Sequence, residues 1–169
     1  MPEHDLIRKP VPTFRDHALV LAALPHSILF LCGMNAVRSP MAEQLARRIL
    51  PATTFVASAG VHAGERDPFV DAVLAEEGLS LGERRPKALE ELEDDYFDLI
   101  VTLAPEAHHA ALELTRSLAV EVEYWPMPDP TDAGGTREHI MAAYRDVRER
   151  LKARISRRFS LPEAKNATD

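Results

Sequence analysis

Four short apolar runs, each followed by a stretch with helical spacing, constrain this chain more than any other feature of it. Ile28-Leu29-Phe30-Leu31 is continuous instead of alternating, and Thr54-Phe55-Val56-Ala57, Leu99-Ile100-Val101-Thr102-Leu103 and Val120 to Trp125 are of the same kind. A short unbroken run suits a strand covered on both faces, because neither side of the pleat then has to meet water. Between the runs the period changes. Met41, Leu45 and Ile49 stand four apart, Val70, Val73 and Leu74 follow Pro68, and Pro105 opens a stretch from Glu106 to Leu118. The last segment, Thr136 to about Arg158, puts Ile140, Tyr144, Val147, Leu151 and Ile155 on one stripe. Strand then helix, repeated four times, predicts an α/β fold: a four-stranded parallel sheet with helices on both faces, joined by right-handed crossovers.

At 169 residues, 46% of them hydrophobic, the chain has material for one core and not two. Residues 28–160 are expected to form that domain. Residues 1–27 read as an attached arm, interrupted by Pro2, Pro10, Pro12 and Pro25, with helical character only from His17 to Leu24. Residues 161–169 carry Pro162 and little apolar material, the composition of a tail. Twenty Lys and Arg against 27 Asp and Glu leave a net charge of −7, which argues against indiscriminate binding to nucleic acid or anionic membrane. An anionic ligand therefore needs a local device. No run approaches the ~20 apolar residues of a bilayer span, and Glu3 and Asp5 stand where a secretory signal carries cations, so a cytoplasmic protein is expected. The acidic stretch of Glu90, Glu91, Glu93, Asp94 and Asp95 reads as a solvated face with no further role.

The single cysteine, Cys32, excludes an internal disulfide and fits a reducing compartment. Lone cysteines often serve as small buried hydrophobes. This one ends an apolar strand, and in an open α/β sheet ligands gather outside the carboxyl ends of the strands. It is followed by Gly33-Met34-Asn35-Ala36-Val37-Arg38-Ser39-Pro40. Gly33 and Asn35 tolerate left-handed backbone angles, Ser39 makes a good helix N-cap, and Pro40 suits the first helical turn. A loop from Cys32 to Arg38 can turn successive amides inward as a nest for an oxyanion, above the positive end of the following helix. The planar fork of Arg38 closes the ring on two oxygens of a tetrahedral phosphate or arsenate. A helix N-terminus and an arginine also favour thiolate over thiol, and the thiolate is the form that attacks.

The Cys-x5-Arg-Ser loop of residues 32–39, with Pro40-Met41-Ala42-Glu43 after it, resembles that of the low-molecular-weight protein tyrosine phosphatases and of the arsenate reductases that share their fold. The resemblance continues through Ser58-Ala59-Gly60, Gly78-Leu79 with Arg85, and Asp129-Pro130, and covers roughly Ser27 to Arg158. It implies a flavodoxin-like sheet and a set of roles. Cys32 would attack phosphorus, and Arg38 would bind the phosphoryl oxygens with the loop residues Gly33, Met34, Ala36 and Val37. Asn35 would hold the loop in shape, Ser39 would hydrogen-bond the thiolate, and Ser58 would support the loop from the neighbouring strand.

Asp129 would be the general acid. A phosphate monoester needs one group to protonate its leaving oxygen, and the same carboxylate, once ionised, can activate water against a cysteinyl phosphate. Asp129 lies in Trp125-Pro126-Met127-Pro128-Asp129-Pro130, where three prolines keep the backbone stiff. An Asp-Pro turn is the plain alternative, and Asp132 is the fallback acid. The histidines carry no expected role: His108-His109 reads as surface and His62 as an exposed loop residue. No metal and no cofactor are expected.

The chain departs from the family pattern in several places. Met34-Asn35 stands for the usual Gly-Asn, and Val37 for the second cysteine that many phosphatases carry before the arginine. Val61-His62-Ala63 and Thr131-Asp132-Ala133 lack the aromatic residues that flank the pocket, and Glu83-Arg84-Arg85 lacks a histidine common in the middle loop. The expected activity is hydrolysis of a phosphate monoester, carried by a phosphorylated protein or a small aryl ester. The alternatives are a single-cysteine arsenate reductase served by an external thiol and a non-catalytic oxyanion or phosphoprotein binder. A thioredoxin-linked relay through two further protein cysteines is excluded by count.

Overall fold

The computed structural model describes residues 14, 15, 18, 23–94 and 96–159. The expected tail, most of the expected arm, most of its helix over His17 to Leu24, and Asp95 of the acidic stretch lie outside the described residues; Ala18 and Ala23 are helical. Four strands, β1 (Ser27–Cys32), β2 (Phe55–Gly60), β3 (Leu99–Thr102) and β4 (Glu121–Tyr124), form one parallel sheet in the order β2-β1-β3-β4. Four helices follow them in alternation: α1 (Arg38–Ile49), α2 (Pro68–Ala75), α3 (Pro105–Leu114) and α4 (Arg137–Phe159). This is the expected α/β architecture with helices on both faces, in flavodoxin-like order. The chain reverses direction of travel between β1 and β3, and the carboxyl ends at such a switch point form the usual binding crevice.

The pleat of β1 divides the core. Ile28, Phe30 and Cys32 face one side and pack with residues of α1, α2 and α4, among them Met41, Leu45, Val73, Leu151 and Ile155. Leu29 and Leu31 face the other side, against Ala104, Ala107 and Ala111 at the start of and along α3. Those alanines let α3 lie close to the sheet. All five apolar β1 residues from Ile28 to Cys32 are at most 2% exposed, which accounts for the unbroken run. Helix α4 is tied to the end of α2, where Arg145 and Arg148 grip Glu76 and hold its carboxyl down at about 2.

Three boundaries differ from the sequence expectation. β4 is not a strand buried on both faces: Glu121 and Tyr124 are exposed because it is the sheet edge, and the buried Trp125 lies just past it. β2 runs on through Ser58, Ala59 and Gly60, past the expected run from Thr54 to Ala57. Helix α3 ends at Leu114, four residues before the expected Leu118, because Thr115 to Ser117 close in turns. Among the described residues no helix is long and apolar enough to cross a membrane.

Beyond the last ladder pair, Val61 N donates to Cys32 O at 3.0 Å, His62 N to Gly33 O at 2.9 Å and Gly64 N to Met34 O at 2.8 Å. These bonds lay residues 61–64 along the loop that leaves β1. Gly60 sits in the tightest part of this contact, where a Cβ would fall 2.3 Å from His62 O and 2.6 Å from Asn35 N. Both are backbone atoms that cannot swing aside. Gly60→Ala is expected to destabilise the protein by ~1–3 kcal/mol or more through overpacking, read as a lower urea midpoint at unchanged slope; an unaltered midpoint would show that the contact relaxes freely.

Candidate active site

Cys32 ends β1 at the centre of the sheet, and the six residues after it curl back into α1. The curl depends on Asn35, whose φ of 51° lies in the left-handed region that asparagine tolerates. Among the described residues, no protein acceptor takes the amide hydrogens of Met34, Asn35, Ala36, Val37 or Arg38. Five consecutive donors with no internal partner, at the start of a helix, are the kind of array that can receive an anion. Met34 is half exposed, Ala36 is partly buried, and Gly33, Asn35 and Val37 are buried.

The helix begins two residues earlier than the N-cap rule predicts. Val37 is the cap and offers no side-chain bond, while Ser39, the expected cap, is fully buried. Its hydroxyl is committed elsewhere: it lies 2.9 Å from Cys32 Sγ, accepts from Asn35 Nδ2 at 2.8 Å, and lies 3.2 Å from Ala59 O. The one hydroxyl proton thus has two possible acceptors, the sulfur and the Ala59 carbonyl. Asn35 gives its other amide proton to Ser58 Oγ at 3.0 Å and receives Lys87 N on Oδ1 at 3.0 Å, which fixes the orientation of the amide. That backbone amide serves Asn35 in a middle loop without the family's histidine.

Ser58 in turn donates to Glu43 Oε2 at 2.6 Å. Glu43 is fully buried and ion-paired, with Arg47 Nη2 2.6 Å from Oε1 and the Arg84 guanidinium on Oε2, although Oε1 accepts no hydrogen bond of good geometry. A buried carboxylate is costly unless paired in this way. A continuous polar chain therefore runs Glu43–Ser58–Asn35–Ser39–Cys32 beneath the loop. In the sequence Glu43 reads only as a continuation of the motif, with no place in the site. The pairing with Arg47 at i+4 was visible in the sequence, whereas Arg84 reaches it only through the fold.

Arg38 is mostly buried. Its Nη1 donates to Met127 O at 3.3 Å and its Nη2 lies 3.5 Å from Asp129 Oδ2. A guanidinium has five N–H donors, so these contacts leave others to face the loop. Asp129 turns out to be both the turn residue and a neighbour of the loop. Its Oδ1 accepts from Thr131 N at 3.0 Å and from Thr131 Oγ1 at 2.7 Å, capping the short turn Pro130–Asp132, while Oδ2 meets Arg38. Asp132 is exposed and makes no ion pair with Arg38.

The surroundings of the loop are lined differently from the expectation. A cavity of about 480 Å³ runs from Ala36 and Val37 to Pro130 and Thr131, walled by Phe69, Ile140 and Tyr144. Phe69 and Tyr144 pack with ring centroids 5.2 Å apart, and Tyr144 donates to Asp67 Oδ2 at 2.6 Å. Burial first, then that bond and the Asp67 charge, push the phenol above its ordinary range, so it stays a neutral donor. Aromatic surface thus comes from α2 and α4, not from the two loops where it was sought. The Glu106 carboxylate lies directly against Gly33, where a Cβ would fall 2.4 Å from Oε1. His62 and His109 are exposed as expected. His108 is not a surface residue: it is half-buried, stacked on Tyr124 at 4.6 Å, with Nδ1 3.0 Å from Thr102 Oγ1. Because Thr102 gives its own proton to Glu123 O, the histidine is the donor in that bond.

Comparison with known proteins agrees with this fold. The family model described as low molecular weight phosphotyrosine protein phosphatase matches residues 27–160. An arsenate reductase from Bacillus licheniformis is 31% identical over 131 residues, 78% of this chain and 93% of the relative. Among solved structures, an arsenate reductase from Archaeoglobus fulgidus superposes with a TM-score of 0.61 at 30% identity, covering 79% of this chain and 99% of that one. The tyrosine phosphatase amsI of Erwinia amylovora superposes with a TM-score of 0.64 at 25% identity, covering 82% and 96%.

Proposed function

This chain belongs to the low molecular weight phosphotyrosine protein phosphatase family, and from that premise we propose that it hydrolyses a phosphate monoester through a phosphocysteine at Cys32. The carrying observation is the run of five amides that, among the described residues, have no protein acceptor, in the loop between the buried Cys32 and Arg38. In the first step the Cys32 thiolate attacks phosphorus and the ester oxygen leaves with a proton from Asp129, giving an alcohol or phenol. The loop amides and Arg38 take the three equatorial oxygens, where negative charge develops, and preorganised donors of this kind usually supply the largest share of the rate. In the second step Asp129, now ionised, removes a proton from water as the water oxygen attacks the phosphocysteine. Inorganic phosphate leaves, and Ser39 gives its hydroxyl proton as a hydrogen bond to the returning thiolate. Gly33, Met34, Ala36 and Val37 shape the nest, and Asn35 and Ser58 hold it from below.

A second reading, arsenate reduction, is favoured by the names of the relatives. Here the Cys32 thiolate displaces water from arsenate. An external thiol then attacks the Cys32 sulfur, so that two electrons pass to arsenic, arsenite leaves, and a mixed disulfide remains. A second thiol frees Cys32 as the external disulfide forms. The chain needs only its one cysteine for this.

Rapid mixing with p-nitrophenyl phosphate, followed by acid quench and mass analysis of the Cys32 peptide, separates the two. The phosphatase reading expects a burst of nitrophenolate stoichiometric with protein, and phosphate on Cys32. Thiol-dependent release of arsenite from arsenate without such a burst would replace it with the reductase reading. Oxyanion binding with neither reaction would leave the binding-module reading.

A further inference from the structure

On the side of the loop where Asn35 and Ala36 turn toward β2 lies a second cavity, of about 210 Å³, walled by Arg66, Arg84, Arg85 and Lys87 together with Asn35, Ser58, Pro40, Leu81 and Pro86. Four cations and no carboxylate line it, in a chain whose net charge is −7. Two of the four are already matched. Arg66 forms a two-point pair with Asp71, and Arg84 meets Glu43, which Arg47 also neutralises. Arg85 and Lys87 have no carboxylate partner among the described residues. The balance inside is strongly positive. Glu65 and Glu83 line the adjoining groove, which shares Arg66, Arg85 and Pro86 with the cavity, and do not line the cavity itself.

Two features make this more than a collection of surface cations. Arg66 is held by Asp71 and by the carbonyls of Gly82 and Arg84, at 2.6 and 3.3 Å, and Arg84 is held by Glu43, so half of the charge is fixed before any ligand arrives. Ordering costs that usually oppose binding are correspondingly reduced. The inner wall is Asn35 and Ser58, 4% and 2% exposed, the same two residues that steady Ser39 beneath the sulfur. At 210 Å³ the cavity is below the about 300–1,000 Å³ of sites for larger organic ligands, a size for one small group.

We propose that this cavity is a second oxyanion site, which takes one tetrahedral phosphate-like group, free or carried on a larger molecule, while the loop of Cys32 holds another. Its ligand joins Lys87, whose amide fixes Asn35, to the cations of the middle loop, so occupancy stiffens the support of the catalytic loop from behind. The proposal concerns binding and stands apart from whether Cys32 turns over.

The test is a titration of the isotope-labelled full chain with inorganic phosphate, followed by amide resonances. Two groups should move: Met34 to Arg38, and Arg84, Arg85 and Lys87. In Arg85→Glu the second group should respond with at least about tenfold weaker affinity, the loss of one charge-assisted contact, while the first group is unchanged; Arg85→Lys should restore the response. A doubly phosphorylated peptide, compared with its singly phosphorylated form, shows whether the second group can be carried on a substrate. The proposal is overturned if the second group stays still while the first moves, if Arg85→Glu responds like the unaltered protein, or if acetate moves the second group as well as phosphate does. A silent first group would count against the proposed function instead.

Discussion

Cys32→Ser is expected to lower turnover of p-nitrophenyl phosphate by a factor on the order of 10⁴–10⁶, as loss of a nucleophile does in other covalent hydrolases, while phosphate still binds. The separation follows from the division of labour around the sulfur. In the proposed function the amides of Met34 to Arg38 and the Arg38 guanidinium supply the field for the oxyanion, and none of them belongs to the substituted side chain. A serine hydroxyl has room beside Ser39, whose own oxygen is held by Asn35 at 2.8 Å. It lacks the capacity to attack as an anion near neutral pH. Turnover assayed with and without added thiol, alongside phosphate affinity from a binding titration, reads both halves. A variant that keeps ordinary turnover would remove Cys32 from the chemistry. One that loses phosphate affinity along with turnover would show the sulfur to be part of the binding field.

The alternation of period was enough to place the four strands and the four long helices among the described residues, because Ile28 to Leu31 is unbroken where both faces of the sheet are covered. It failed where an element's environment departs from its pattern. Glu121 and Glu123 marked β4 as an edge, and reading Val120 to Trp125 as uniformly apolar overlooked them. Local rules failed at the site for a related reason. Ser39 is a good N-cap in isolation, but Cys32, Asn35 and Ala59 offer its hydroxyl buried partners, and a buried hydroxyl follows those partners. That Cys32 ends the central strand and that Asp129 comes beside Arg38 was legible, because the motif and the order of the elements carry it. The supports of the loop were not. Arg84 on Glu43, the Lys87 amide on Asn35, and Tyr144 beside Phe69 are contacts between segments distant in sequence, and only the crossing of helices and loops in the fold brings them together.

Asp129→Asn is expected to slow hydrolysis of phenyl phosphate by about 10²–10⁴, the usual contribution of a general acid, and to slow p-nitrophenyl phosphate far less in its first step. Nitrophenolate is a stable leaving group that departs without a proton, whereas phenolate is not. The contrast between the two esters, and not the loss alone, identifies the acid. Asparagine keeps an oxygen for Thr131 N, so the short turn at Pro130–Asp132 and the position of the loop should survive. What disappears is the proton and the charge that Oδ2 presents to Arg38 from 3.5 Å. Arg38, released from that carboxylate but still tied to Met127 O, should bind phosphate as well as before or better, because a negative group beside the oxyanion has been neutralised. Phosphocysteine should also persist longer, since the same carboxylate activates water in the second step. Asp132→Asn serves as the control: with no ion pair to Arg38, it should leave both esters nearly unaffected. An equal loss for the two esters would point to general damage of the loop, and a large effect at Asp132 with none at Asp129 would move the acid three residues along the chain.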